Sequence, residues 1–231
     1  MTVIAHRGAP TRVLENTLRS IQLAETLRCD ATEFDVRSTR DGVPVLLHDR
    51  TLQRFWNLPD RVDAVDLATI RTLTARSPDG GTDRIPTFEE VLDGTRAVLV
   101  VDCKAAEIIP AMLRMIHARD QFARIRFIGE PPILEHVRAA SADAQIVMSW
   151  SGLEEPPESL LQRIRPFAIN LEWRDAVADL ARTLARRYVL WAYTIDDAES
   201  ARKARETGIE GIISNDLAAI APGLVPPARH D

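Results

Sequence analysis

Short apolar runs of four to six residues recur along the chain, and amphipathic stretches separate them. Eight runs have strand character: Thr2–His6, Thr32–Val36, Ala97–Asp102, Ile125–Ile128, Gln145–Ser149, Phe167–Leu171, Val189–Thr194 and Gly211–Ser214. Between them apolar residues follow helical spacing, as in Leu14, Leu18 and Ile21 after the first run, or Val177, Leu180, Ala181 and Leu184 after the sixth. That is the i, i+3, i+4, i+7 pattern of a helix with one buried face. Strand alternating with helix predicts a parallel sheet.

From the third run onward, positions 102, 128, 148, 171, 193 and 213 are spaced by 20 to 26 residues, the length of one compact β/α unit. This regularity predicts a closed eight-fold barrel rather than an open sheet. The interval from Asp35 to Asp102 is 67 residues, far too long for one unit. The excess, about 41–95, reads as an inserted hairpin and lid over the barrel mouth. It holds a strand-like run Val43–His48 entered through Asp41-Gly42, a helical stretch Asp66–Leu73, and the loop Ser77-Pro78-Asp79-Gly80-Gly81. We expect one barrel domain over 1–221 and a Pro-rich tail, 222–231, that is poorly ordered and dispensable.

Composition narrows the class. With 45% hydrophobic and 27% charged residues the chain has the balance of a globular protein. A net charge of -5 argues against a surface built to neutralise nucleic-acid phosphates. No run reaches the roughly 20 apolar residues that cross a bilayer, and nothing before the first reactive residue resembles a secretory leader. Cys29 and Cys103 have neither C-x-x-C spacing nor zinc-site neighbours, which favours two buried thiols in a reducing compartment. The expected location is cytoplasmic, with no nucleic-acid partner and no stable membrane insertion. The helical faces leave the oligomeric state open.

Barrel enzymes place reactive groups at the C-terminal ends of their strands, and polar residues appear there with strand parity. His6 and Arg7 end the first run; Glu33 and Asp35 lie two apart on the second; Asp102 and Lys104 lie two apart on the third. Two-residue spacing puts each pair on one face, with Phe34 and Cys103 on the other. Three adjacent strands then aim three carboxylates at one region. Such a cluster requires a neutralising cation or retained protons. From spacing alone two readings stand: a hard divalent ion on all-oxygen ligands, or an internal salt-bridge network with Arg7 and Lys104. Gly8 would let the backbone approach a bound anion closely, and Arg7 could clamp phosphate. His48, at the end of the inserted run, could fold back over the same mouth, so that His6 and His48 act as general acid and base. His117, His136 and His230 receive no role.

Taken together, His6-Arg7-Gly8-Ala9-Pro10, Glu15-Asn16-Thr17, Glu33-Phe34-Asp35-Val36, Thr39-Arg40-Asp41-Gly42 and His48-Asp49 occur in order within fifty residues. This set resembles the glycerophosphodiester phosphodiesterase family. Thr51-Leu52, Ile85-Pro86-Thr87, Asp102-Cys103-Lys104, Tyr193-Thr194 and Gly208 to Asn215 extend the resemblance over essentially the whole chain. It implies a TIM (β/α)8 barrel that cuts a small-molecule glycerophosphodiester into glycerol 3-phosphate and an alcohol, using one divalent cation, Mg²⁺ or Ca²⁺ with Mn²⁺ possible. Position by position it implies Glu33, Asp35 and Asp102 as metal ligands, His6 and His48 as the acid–base pair, and Arg7, Lys104 and Tyr193 as substrate-binding residues.

The chain departs from the family pattern at four places. Asp102 stands where Glu is usual, Tyr193 where Trp is common, Ile128-Gly129-Glu130 where the strand often ends in Ser-Phe, and Ser214-Asn215-Asp216-Leu217 where a Thr-Asp or Thr-Asn pair with a nearby Pro is usual. Two alternatives follow: a lysophospholipid- or sphingolipid-type phosphodiesterase, with Phe55, Trp56 and Leu58 as an apolar landing surface, and a barrel that binds phosphodiesters without cutting them.

Overall fold

In a computed structural model of the chain, which describes residues 1–221, β1 (Thr2–Ala5) and β2 (Ala31–Ser38) precede three short strands of the inserted segment, β3 (Pro44–Leu46), β4 (Ala75–Arg76) and β5 (Thr82–Asp83). Then come β6 (Leu99–Cys103), β7 (Ile125–Gly129), β8 (Ile146–Trp150), β9 (Ala168–Glu172), β10 (Val189–Tyr193) and β11 (Gly211–Ser214). Eight of them pair in parallel in the order β1-β11-β10-β9-β8-β7-β6-β2, and a β1–β2 pairing closes the ring. The eight strands read from the sequence are these eight, with ends shifted by one or two residues. The tail 222–231 and His230 lie outside the described residues.

Strand parity divides the apolar residues into two populations. Ile4, Ala31, Val100, Ile128, Val147, Ala168, Trp191 and Ile213 point inward and pack as one cluster inside the ring. Their neighbours of opposite parity, among them Phe34, Val101, Cys103, Phe127 and Met148, join the layer between strands and helices. Each fully buried side chain of this size stabilises the fold by about 1.5–3 kcal/mol relative to exposure. Gly211 makes room for the largest inward residue: a Cβ there would lie 2.5 Å from Cδ1 of Trp191.

The helices are α1 (Leu18–Thr26), α2 (Gln53–Trp56), α3 (Leu67–Ile70), α4 (Phe88–Gly94), α5 (Ile109–Ala118), α6 (Pro131–Ala140), α7 (Glu158–Ile164), α8 (Ala178–Leu184), α9 (Ala198–Glu206) and α10 (Leu217–Ile220). The inserted segment begins as a hairpin in which β3 pairs antiparallel with the upper end of β2, Val36 opposite Leu46 and Ser38 opposite Pro44. Gly42, at φ +78°, takes the left-handed position of its turn. The helical stretch expected over Asp66–Leu73 is the shorter α3, and Ser77–Gly81 forms the turn between β4 and β5.

This segment has its own small core, built from Leu14, Val45, Leu47, Leu52, Trp56, Val62, Ile70, Ala75 and Ile85. Phe55 and Leu58 pack against that core. Of the three residues considered as a landing surface, Trp56 is buried in this core and Phe55 and Leu58 are half-buried against it. The segment does not extend to residue 95, however. Thr87 caps α4 in a capping box with Glu90, and Phe88, Val91 and Leu92 join the main core. The ring of helices thus resumes at Thr87.

Candidate active site

Above the apolar layer, the inward positions change character on one side of the ring. His6 follows Ile4 on β1's inward face, Glu33 and Asp35 follow Ala31 on β2, and Asp102 follows Val100 on β6. Sheet register makes Asp35 and Asp102 direct partners, so strand pairing alone joins two acids that the insertion separates in sequence. One oxygen from each of Glu33, Asp35 and Asp102 lies within 4.8 Å of the others. His6, Arg7, Glu33, Asp35, His48, Asp102, Lys104 and Tyr193 all line one cavity of about 290 Å³. Every site residue expected from the sequence is thereby placed at the same mouth, including His48 from the inserted segment.

The acids are held from outside the barrel. Asn16, in the left-handed region at φ 55°, donates from Nδ2 to Asp35 Oδ2 (2.9 Å) and accepts the Asp35 backbone N–H (3.0 Å). The backbone N–H of Arg7, itself at φ 56°, donates to Glu33 Oε2 at 3.0 Å. Gly8 owes its identity to packing against α1, because a Cβ there would fall 2.4 Å from Ser20 Oγ. Its φ of +90° is a second reason for glycine at this position.

Two cations serve the cluster. Lys104 Nζ lies 3.1 Å from Asp35 Oδ1 and also contacts Asp102 Oδ2. Arg7 donates from Nη1 to Glu15 Oε1 at 3.0 Å, and its Nε is 3.3 Å from Asp35 Oδ2. Nη2 of Arg7 has no hydrogen-bond partner among the described residues. The salt-bridge network read as the alternative to a metal is thus present at Asp35 and Asp102, and it leaves Glu33 out.

Glu33 is 4% exposed and pairs with no Lys or Arg side chain among the described residues; its nearest cationic candidate is His6 Nε2 at 3.9 Å. Burial first, then the charges of Asp35 and Asp102, push its carboxyl well above the usual range. Burial also pushes Asp35 upward, but Lys104 and Arg7 outweigh it and leave this group below its ordinary value. Burial of Asp102 outweighs the opposing Lys104, and its carboxyl is raised. Three carboxylates with only part of their charge matched, offering oxygen alone, fit a hard divalent cation.

Each histidine has one nitrogen committed. His6 Nδ1 is 2.8 Å from Asn215 Oδ1, and the Asn215 amide is fixed in turn because its Nδ2 donates to Asp196 Oδ2 at 2.8 Å. His6 therefore donates from Nδ1 in its neutral form, with Nε2 left as the acceptor. Burial, and secondarily Arg7, holds the His6 imidazole below its ordinary value. His48 Nδ1 lies 2.8 Å from Asp49 Oδ1, and the guanidinium of Arg37 donates to the His48 backbone carbonyl at 2.8 and 2.6 Å. On the far wall, Tyr193 stands above Trp191, and burial, then Glu172 and Glu130, raises its phenol.

Several lining or supporting residues escaped the sequence reading. Ser149 and Asn170 line the side opposite the acids, where Asn170 Nδ2 donates to Ser149 Oγ at 3.3 Å and Asn170 Oδ1 is buried without a partner. Arg37 and Arg50 also line the cavity. Only the strand parity of Ser149 and Asn170, on the inward face above Val147 and Ala168, could have found them. Asp196 and Asn215 are brought to His6 from the other end of the barrel chain, and no local spacing announces that contact.

The model of the glycerophosphoryl diester phosphodiesterase family matches residues 6–219. A glycerophosphodiester phosphodiesterase of Caldanaerobacter subterraneus is 28% identical over 228 residues, covering 93% of each chain. A phosphodiesterase of Oleispira antarctica, solved in complex with the product sn-glycerol-3-phosphate, superposes with a TM-score of 0.85 at 23% identity over 96% of each chain. A glycerophosphodiester phosphodiesterase from Thermotoga maritima gives a TM-score of 0.78 at 21% identity, covering 94% of this chain and 95% of the other. These structural likenesses carry the closed-barrel fold; the family rests on the sequence match.

Proposed function

The chain belongs to the glycerophosphoryl diester phosphodiesterase family, and from that premise we propose that it hydrolyses a glycerophosphodiester to glycerol 3-phosphate and an alcohol at this mouth. The observation that carries the reading is a single cavity lined by three converging carboxylates and two imidazoles. Glu33, Asp35 and Asp102 would hold the cation. When bound, Mg²⁺, Ca²⁺ or Mn²⁺ supplies positive charge against the anionic phosphoryl oxygens.

The chain's own groups do the rest. Lys104, fixed between Asp35 and Asp102, adds a second positive charge beside the phosphorus, and Arg7 offers Nη2 to a phosphoryl oxygen. Both Nδ1 atoms being engaged, Nε2 is the working nitrogen of each ring. One imidazole takes the proton of the attacking hydroxyl, from water or from the glycerol 2-position, and the other protonates the departing alkoxide. Tyr193 borders the substrate on the far wall.

Release of glycerol 3-phosphate from glycerophosphocholine, measured with each ion and after chelation, tests the reading. Activity indifferent to verified metal removal would reject the cation. Tight binding of an intact diester, with no product after long incubation with all three ions, would replace hydrolysis by binding alone. The lipid-type alternative loses its support, because Trp56 is buried in the core of the inserted segment and Phe55 and Leu58 pack on it. Among the described residues no helix is long and apolar enough to cross a membrane. Both cysteines are free, Cys103 buried and Cys29 half-buried, which accords with the reducing cytoplasm.

A further inference from the structure

A second cavity of about 190 Å³ adjoins the first, and Arg37, Arg50 and Lys104 line both. Its wall carries four cations, these three and Arg61, against two acids, Asp63 and Glu107. Two of the cations are already matched: Arg61 is clasped by Asp63, and Lys104 by Asp35 and Asp102. Arg37 and Arg50 are not. Arg37 spends two of its donors on the His48 carbonyl, and among the described residues neither guanidinium has a carboxylate within 4.0 Å. Arg37 is half-buried and shares this wall with the exposed Arg50. Two like charges on one concave wall repel each other until an anion arrives between them.

The two walls of the mouth also sort the two branches of a phosphodiester. Glycerol is a neutral polyol, and the uncharged wall offers it Ser149 together with the buried, unpartnered Asn170 Oδ1, an acceptor suited to a hydroxyl donor. With glycerol on that wall and the phosphoryl group beside Lys104, the other branch extends past Lys104 into the basic annex. We propose that the annex binds an anionic group on the leaving alcohol, so that the enzyme prefers glycerophosphodiesters whose alcohol carries a carboxylate or phosphate over those with a neutral or cationic head. This assignment rests on the phosphodiesterase reading and deepens it; Arg50, on the insertion, becomes a specificity-determining residue.

The test uses an isosteric pair that differs only in charge, the glycerol 3-phosphate diester of 4-hydroxybutyrate and the corresponding diester of its amide, with glycerophosphocholine as a cationic comparison. The acid is expected to exceed the amide in kcat/KM by about tenfold at low ionic strength, with the ratio falling towards one in 1 M salt. Arg50 is exposed and makes no ion pair among the described residues, so Arg50→Gln is expected to fold and to bring the ratio within about twofold of one. Arg50→Lys, which keeps the charge, is expected to retain most of the preference. A wild-type ratio of one, a ratio unchanged in Arg50→Gln, or faster cleavage of glycerophosphocholine than of the acid would each overturn the proposal. No cleavage of any of the three diesters with Mg²⁺, Ca²⁺ or Mn²⁺ would overturn the phosphodiesterase reading itself, and the inference with it.

Discussion

The two sides of the barrel mouth are built by the same rule and come out chemically opposite. On β1, β2 and β6 the inward residues above the apolar layer are His6, Glu33, Asp35 and Asp102; on β8 and β9, on the inward face above Val147 and Ala168, they are Ser149 and Asn170. The charged side cannot stand by itself. It is held by Asn16, by the Arg7 backbone, by Lys104 and, at one remove, by Asn215 and Asp196. The neutral side needs only the Asn170–Ser149 hydrogen bond. The barrel makes side chains converge, then, but the cost of assembling like charges is offset by groups from loops outside it, which hold the strand-borne acids in place.

The sharpest way to break this contrast is to remove a carboxylate. Glu33→Gln and Asp35→Asn are each expected to lower turnover by about a thousandfold or more, the scale of losing a catalytic ion's charge, and to lower metal affinity in a calorimetric titration. Losses below tenfold would mean that the cluster is structural. Next in size, His6→Ala and His48→Ala are expected to lower kcat by at least about a hundredfold each. With a p-nitrophenyl leaving group, which needs no proton, one of the two variants should recover most of its rate and the other should not; recovery in both would dissolve the acid–base pair.

Smaller effects sharpen the comparison. Asn215→Ala frees the His6 ring to turn, and is expected to cost about tenfold in kcat with KM nearly unchanged, as for other residues that orient a working imidazole. A KM effect alone would place Asn215 in substrate binding instead. On the neutral side Asn170→Ala is expected to raise KM for glycerophosphodiesters about fivefold, the worth of one hydrogen bond, and to leave metal affinity intact. If it lowered kcat as far as Asp35→Asn does, the two sides would not differ in kind.

The charged side was largely legible in the sequence, because acidic and basic residues at strand ends stand out against the apolar runs that precede them. Parity then fixed which face Glu33, Asp35 and Asp102 would share with one another. The supporting roles were hidden for a physical reason, although Asn16 and Asn215 stand within the family-like motifs. Asn16, Asn170 and Asn215 are uncharged amides, common in loops and at strand ends, and their value lies in partners 19, 21 and 209 residues away. The end of the insertion was also misread, although Thr87 and Glu90 carry a capping-box signal three residues apart; Ile85 and Pro86 belong to the inserted core and its edge, which blurred the boundary. Arg50 gave no sign at all, since only the folded hairpin brings it against Arg37 and Lys104.

β1 and β11 lie side by side, with Thr2 opposite Gly211 and Ala5 opposite Ser214, and the ring of His6 leans on Asn215 just past that seam. The first barrel strand to leave the ribosome therefore carries an imidazole whose orienting amide emerges only with the last one. A barrel interrupted before β11 lacks that amide, so under the proposed mechanism full turnover is expected only once the last strand has closed the circle.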